Sequence, residues 1–106
     1  MPFASPEIRA KILRLHYDLE MKNPLDRFNT DTLKDVFPDI PENLLDVNLV
    51  YLYESGLLEC RSTPIMTRIT TQGINVVENP SLANQYQINI QVLQIGTGQV
   101  AQARNG

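Results

Sequence analysis

The sequence predicts a small α+β fold in which helices pack against a β-hairpin. Three stretches with apolar residues at helical spacing come first, and two short β-type stretches joined by Ser62-Thr63-Pro64 follow. Ser5-Pro6, Pro41-Glu42 and Gly56 stand where helices are expected to begin or end. The chain has 106 residues, 42% of them apolar and 20% charged, which suits one domain with its own core.

The first helix is predicted over residues 6–22. Ser5 can cap its free N–H groups, Pro6 suits the first turn, and Pro24 disfavours a helical residue before it. Arg9 and Glu20 are expected to lie largely outside the side of the helix that faces the core. That side is formed by apolar residues at helical spacing, namely Ile8, Ile12, Leu15 and Leu19.

A very short strand over residues 27–29 and a short second helix are predicted next. Phe28 is expected to point inward from the strand. Thr30-Asp31 can cap the helix and Pro38 ends it. The apolar side of this helix contains Leu33, Val36 and Phe37.

The third helix is predicted over residues 41–54, with Leu45, Leu49 and Leu52 towards the core. A second apolar set cannot share that side of the helix. A helix that is apolar nearly all round is either buried in its own chain or covered by a partner, and both remain open here. The candidate interface residues on this helix are Val47, Val50, Tyr51 and Tyr53.

A hairpin and a fourth helix are predicted to complete the fold. The strands are expected over residues 57–61 and 65–70, after a helix C-cap at Gly56. Thr70 or Thr71 is expected to cap a short helix over residues 72–78, and Asn79-Pro80 closes it.

This element order resembles the winged helix-turn-helix superfamily, and in particular its small prokaryotic members. The resemblance covers residues 5–79 and implies a winged-helix domain over residues 1–80, with a three-helix core and a two-stranded wing. The residues that carry it are Leu49, Leu52, Gly56-Leu57-Leu58 and Ile69-Thr70-Thr71-Gln72-Gly73-Ile74.

In the DNA-binding branch of this superfamily, the third helix lies in the major groove and the wing touches the DNA backbone. The resemblance implies a homo-oligomeric transcription regulator that binds duplex DNA. The contacts that it implies come from Lys34, Asn43, Asn48, Arg61 and Arg68.

The charge pattern favours a different class of binding protein. The net charge is −3 and the third helix has Glu42, Asp46 and Glu54 but no cation, whereas base readout usually depends on Arg or Lys. The alternative is a protein–protein interaction or assembly module that does not bind DNA. The sequence favours the regulator, narrowly, because of the fold that the resemblance implies.

Residues 81–106 are predicted to form an uncharged C-terminal strand and a mobile tail. No charged residue occurs between Asn79 and Ala103. A lone strand needs a ladder partner, either the wing sheet of its own chain or the same strand of another chain. We expect the second, so that the segment would act as an oligomerisation element. Its apolar residues alternate with polar ones and are candidate interface residues: Tyr86, Ile88, Ile90 and Val92.

The sequence predicts no catalytic, metal or cofactor site. His16 is the single histidine, without ligands spaced for a metal, and is expected to be a partly buried or surface residue of the first helix. Cys60 is the single cysteine, so no intrachain disulfide can form. The absence of disulfides, of a leader peptide and of an apolar span predicts a cytoplasmic protein outside the membrane. The run from Gly96 to Ala101 matches a dinucleotide fingerprint only superficially, since no helix and acidic residue can follow it.

Overall fold

The computed structural model describes residues 5–24, 27–62 and 65–95. These residues form helices and a small antiparallel sheet, with 3₁₀ segments at Thr30–Thr32 and Pro80–Tyr86. None of the helices in these ranges is long and apolar enough to cross a bilayer. In chain order the elements are α1 (Pro6–Lys22), β1 (Phe28–Asn29), α2 (Leu33–Val36), α3 (Glu42–Glu54), β2 (Leu58–Ser62), β3 (Ile65–Ile69), α4 (Thr71–Glu78) and α5 (Ile90–Ile95).

The three strands form one antiparallel sheet in the order β1-β3-β2. The predicted hairpin is confirmed: β2 pairs with β3 from Leu58 opposite Ile69 to Ser62 opposite Ile65. The predicted short strand is confirmed as well, with Phe28 opposite Thr67 of β3. The molecule is therefore a small α+β fold, compatible with the winged-helix expectation.

Side-chain caps define the helix starts that the sequence predicted. The Ser5 hydroxyl accepts a hydrogen bond from the Ile8 amide at 3.1 Å, at the start of α1. The Thr70 hydroxyl accepts one from the Gly73 amide at 3.0 Å, at the start of α4. Gly56 follows α3 with a φ of 84°, a conformation that glycine adopts without steric cost.

Gly73 allows α4 to lie directly against the beginning of the hairpin. A Cβ at this position would collide with the Leu57 carbonyl oxygen and with the side chain of Ile69. Gly73, three residues after the capping Thr70, thus permits a close packing of helix on strand that no larger residue would allow.

The core lies between the helices and the sheet. Leu45, Leu49 and Leu52 of α3 face it, as predicted. The buried apolar residues come from the helices, from β2 and β3 and from the segments beside them: Ala10, Ile12, Leu13, Leu33, Leu45, Leu49, Leu52, Leu57, Leu58, Ile69, Val76, Val77, Ala83, Ile88 and Leu93.

The predicted C-terminal strand is wrong for the described residues. Residues 80–86 form a 3₁₀ segment, and α5 begins at Ile90. Gln87 adopts the left-handed conformation, with φ 53° and ψ 52°, which interrupts any extended run. The Asn89 side chain then accepts a hydrogen bond from the Val92 amide at 3.0 Å, so a helix starts there. Residues 96–106, where a mobile tail was expected, lie outside the described residues.

This segment packs on its own chain instead of offering a strand to another. Ile88 is 3% exposed and Leu93 is 0% exposed. The Asn89 amide donates to the Pro6 carbonyl at 3.1 Å, and the Arg14 guanidinium donates to the Leu93 carbonyl at 3.0 Å. The strand on which the homo-oligomer prediction rested does not form, so that prediction has lost its structural basis, and the oligomeric state stays a prediction.

Leu93→Ala tests this packing. Because Leu93 is fully buried, its truncation is expected to lower the free energy of unfolding by about 2–5 kcal/mol in urea titration. The control is Gln91→Ala on the exposed side of α5, for which a change within about 0.5 kcal/mol is expected. Unchanged stability together with a lower mass in light scattering would instead indicate an intermolecular role.

Candidate functional site

A buried arginine joins α1, α3 and the C-terminal segment. Arg9 is only 4% exposed. Its Nε donates to Asn48 Oδ1 at 3.1 Å and its Nη1 donates to the Gln87 carbonyl at 3.2 Å. The guanidinium also lies 3.5 Å from the ring centroid of Tyr51. We call these four residues the Arg9 cluster. Among the described residues, no ion pair involves Arg9, so neutral groups hold its charge.

The Arg9 cluster removes Asn48 from the surface. Asn48 is 0% exposed, and its Nδ2 donates to the Leu44 carbonyl at 2.8 Å while its Oδ1 accepts from Arg9. The expectation that Asn48 reads a base is therefore corrected, because both ends of the amide are used inside the chain. Tyr51, expected at an interface, is partly covered by the Arg9 guanidinium.

A second network pairs Arg68, a predicted DNA contact of the wing, with carboxylates of its own chain. Nε and Nη2 of Arg68 donate to the two carboxylate oxygens of Glu20, at 3.0 and 2.9 Å. These hydrogen bonds raise the pKa of Arg68. Glu59 Oε2 lies 3.6 Å from Arg68 Nη1 and also forms an ion pair with Arg27 Nη2, at 2.8 Å. A phosphate would have to displace Glu20 before Arg68 could bind it.

The remaining predicted DNA contacts are exposed. Arg61 lies on the surface of β2 and Asn43 on the first turn of α3. Lys34 of α2 is exposed and lies 3.5 Å from the carboxylate of Glu42. The structure thus leaves three of the five candidates accessible, one of them paired with an acid.

His16 lies inside the fold, beside a cavity of about 210 Å³ between α1 and the sheet. Its Nδ1 is 2.8 Å from the Ile12 carbonyl and its Nε2 is 2.7 Å from the Thr67 hydroxyl. A neutral imidazole satisfies both, since Nδ1–H donates and Nε2 accepts. Burial lowers the pKa of His16 to about 4. Within the described ranges, no group of three or more His, Cys, Asp or Glu could hold a metal.

A larger cavity, of about 480 Å³, opens between α2, α3 and the sheet. We call it the α2–α3 groove. Its floor contains the buried Leu33, Leu45 and Leu49, and Cys60 and Thr67 come from the sheet. Its rim carries mostly exposed residues: Asp31, Lys34, Glu42, Asp46, Val50 and Tyr53.

The second apolar side of α3 remains uncovered beside this groove. Val47 is 40% exposed, and Val50 and Tyr53 are each 48% exposed. These three residues, which follow one another at three-residue spacing, form what we call the α3 stripe. The C-terminal interface candidates lie elsewhere and pack against the core: Ile88 is buried, and Tyr86, Ile90 and Val92 are partly buried.

The α3 stripe and the groove lie in the acidic part of the molecule. The stretch from Phe28 to Cys60 contains seven carboxylates and one lysine, a net charge of −6 in a chain whose total is −3. This segregation of charge is visible in the sequence and could have identified the surface. The groove floor could not have been found that way, because it depends on how α2 and the sheet meet α3.

Comparisons of the chain with protein-family models, with curated proteins and with solved structures found no match. The surface of the described residues is therefore the indication of function. That surface combines an exposed apolar stripe, an adjoining cavity and a surplus of carboxylates.

The burial of His16 predicts a pH-dependent stability. Its folded pKa, about 4, lies below the unfolded value near 6.5, so the unfolded chain binds the proton first as the pH falls. Stability is fully present above pH 6.5 and is lost towards pH 4, with a loss of about 2 kcal/mol between pH 7 and pH 5.

Urea titrations of the parent chain and of His16→Gln check this prediction. The difference between the two proteins should shrink by that amount as the pH falls from 7 to 5, because the carboxylates are common to both. A difference that does not vary with pH would contradict it, because the pKa of His16 would then be the same in the folded and unfolded chains.

Proposed function

We propose that the chain is a non-catalytic protein-binding module, built on a winged-helix frame, that docks another protein against α3. The observation that carries the proposal is the exposed α3 stripe beside a groove with an apolar floor. Contiguous exposed apolar surface usually marks an interaction site. The groove provides concave space of the kind that receives side chains of a partner.

The same surface argues against the competing function, a DNA-binding regulator. Duplex DNA carries about one negative charge per 1.7 Å, so a bound protein needs cations along its contact surface. Here Glu42, Asp46 and Glu54 occupy α3, and Arg68 is paired with Glu20. A winged-helix frame is used for both kinds of binding, so the choice rests on the surface and not on the fold.

Site-specific photocrosslinking in the cells of origin tests the proposal. A benzophenone amino acid at position 50 is expected to form an adduct with another protein, because this side chain lies on the exposed α3 stripe. The matched control is the same group at position 21, where Met21 is also exposed, at 51%, but belongs to α1. Tyr53→Ser in addition should lower the yield at position 50.

Titration of the purified chain into labelled duplex DNA at low salt tests the competing function, DNA binding. No binding is expected up to about 100 µM protein, the weak end of non-specific DNA affinity. Binding that weakens steeply with salt, or an adduct at position 50 that contains nucleic acid, would overturn the proposal in favour of a regulator.

A further inference from the structure

We infer that the occupant of the α2–α3 groove is an amphipathic helix of another protein, with lysine or arginine flanking its apolar side. This inference rests on the proposed function and adds the chemistry of the partner. It follows from the shape of the surface, from the charge on its rim and from what a second copy of this chain would meet there.

The spacing of the α3 stripe suits a helical partner. Val47, Val50 and Tyr53 follow one another at intervals of three residues. The stripe therefore extends about 9 Å along the helix axis. The apolar anchors of an amphipathic helix, at positions i, i+3 or i+4 and i+7, cover about 10 Å. Two such rows can interlock as ridges and grooves do between packed helices.

The groove beside the stripe supplies depth for those anchors. Leu33, Leu45 and Leu49 form its buried apolar floor, and the cavity measures about 480 Å³. Tyr53 and Val50 border the opening from α3, and Cys60 borders it from β2. Side chains that project from a helix on the α3 stripe would enter this space and remove its floor from water.

The rim of the groove selects the charge of the partner. The rim has three carboxylates, from Asp31, Glu42 and Asp46. Lys34 is the single cation among the rim residues that the structure describes. Lys34 and Glu42 are 59% and 64% exposed and 3.5 Å apart, which makes their pair a weak one that an incoming cation can replace. Cations on both flanks of the helix would complement this rim and speed its association.

A second copy of this chain is a poor occupant. A two-fold contact through α3 would place Glu42, Asp46 and Glu54 of one copy beside the same residues of the other. Juxtaposed like charges oppose association, so the acidic surface disfavours a symmetric dimer at this place. A basic partner faces no such repulsion.

Fluorescence anisotropy with designed peptides tests the inference on the full-length chain. The probe is a labelled 16-residue helical peptide with leucine at i, i+4, i+7 and i+11, flanked by lysine. Its control replaces every lysine with glutamate. The lysine peptide is expected to bind at least tenfold more tightly at 50 mM salt, and this difference should diminish in 1 M salt.

Matched variants locate the binding. Val50→Ser should weaken the lysine peptide about tenfold, whereas Met21→Ser, an exposed apolar change on α1, should leave its affinity unchanged. Asp46→Asn should weaken it about threefold, whereas Glu7→Gln, an exposed carboxylate of α1, should not. The bound peptide should also slow alkylation of Cys60, the only thiol in the chain, by a small haloacetamide.

Each contrary outcome separates this inference from the proposed function. Equal or tighter binding of the glutamate peptide would overturn the charge selection and leave protein binding intact. If neither peptide binds but a protein adduct forms at position 50, the basic helix is not the occupant and the proposed function stands. Loss of the adduct as well would overturn both. A dimer in sedimentation that Val50→Ser dissociates would assign the groove to a second copy.

Discussion

The fold depends on satisfying one buried cation, the guanidinium of Arg9. Removing an unpaired charge from water is prohibitive, so each of its polar groups needs a partner inside the protein. Asn48 and the Gln87 carbonyl accept its hydrogen bonds, and the Tyr51 ring covers its face. These partners come from α3 and from the segment before α5. Arg9 therefore ties together parts of the chain that are far apart in sequence.

This contact also decides which side of α3 reaches solvent. With Asn48 held against Arg9 and Leu45 and Leu52 in the core, the 100° step of the helix turns Val47, Val50 and Tyr53 outward. The polar side chain that could have read DNA is used internally, whereas the apolar ones that suit a protein partner are exposed. The acidic rim gives that exposed side its selectivity for charge.

The elements governed by local signals were predictable from the sequence. The Ser5 and Thr70 caps each bind an amide three residues further along the chain, and the left-handed glycine at position 56 directly follows the end of α3. The C-terminal segment was not, since a short apolar run fits a period of two or of 3.6 almost equally well. Its packing depends on hydrogen bonds from Arg9 and Arg14 of α1 to the carbonyls of Gln87 and Leu93. The sequence did not predict the full burial of Arg9, His16 and Glu20 either, because their side chains have partners on elements that are distant in sequence.

A double-mutant cycle between Arg9→Met and Asn48→Ala tests most directly whether Arg9 holds α3 through Asn48. Urea unfolding of the parent chain, the two single variants and the double variant gives the coupling energy. A coupling of about 1–3 kcal/mol is expected, since a buried hydrogen bond to a charged group is lost only once in the double variant. Free energies that add within about 0.5 kcal/mol would contradict it, because α3 would then be held in place without this contact.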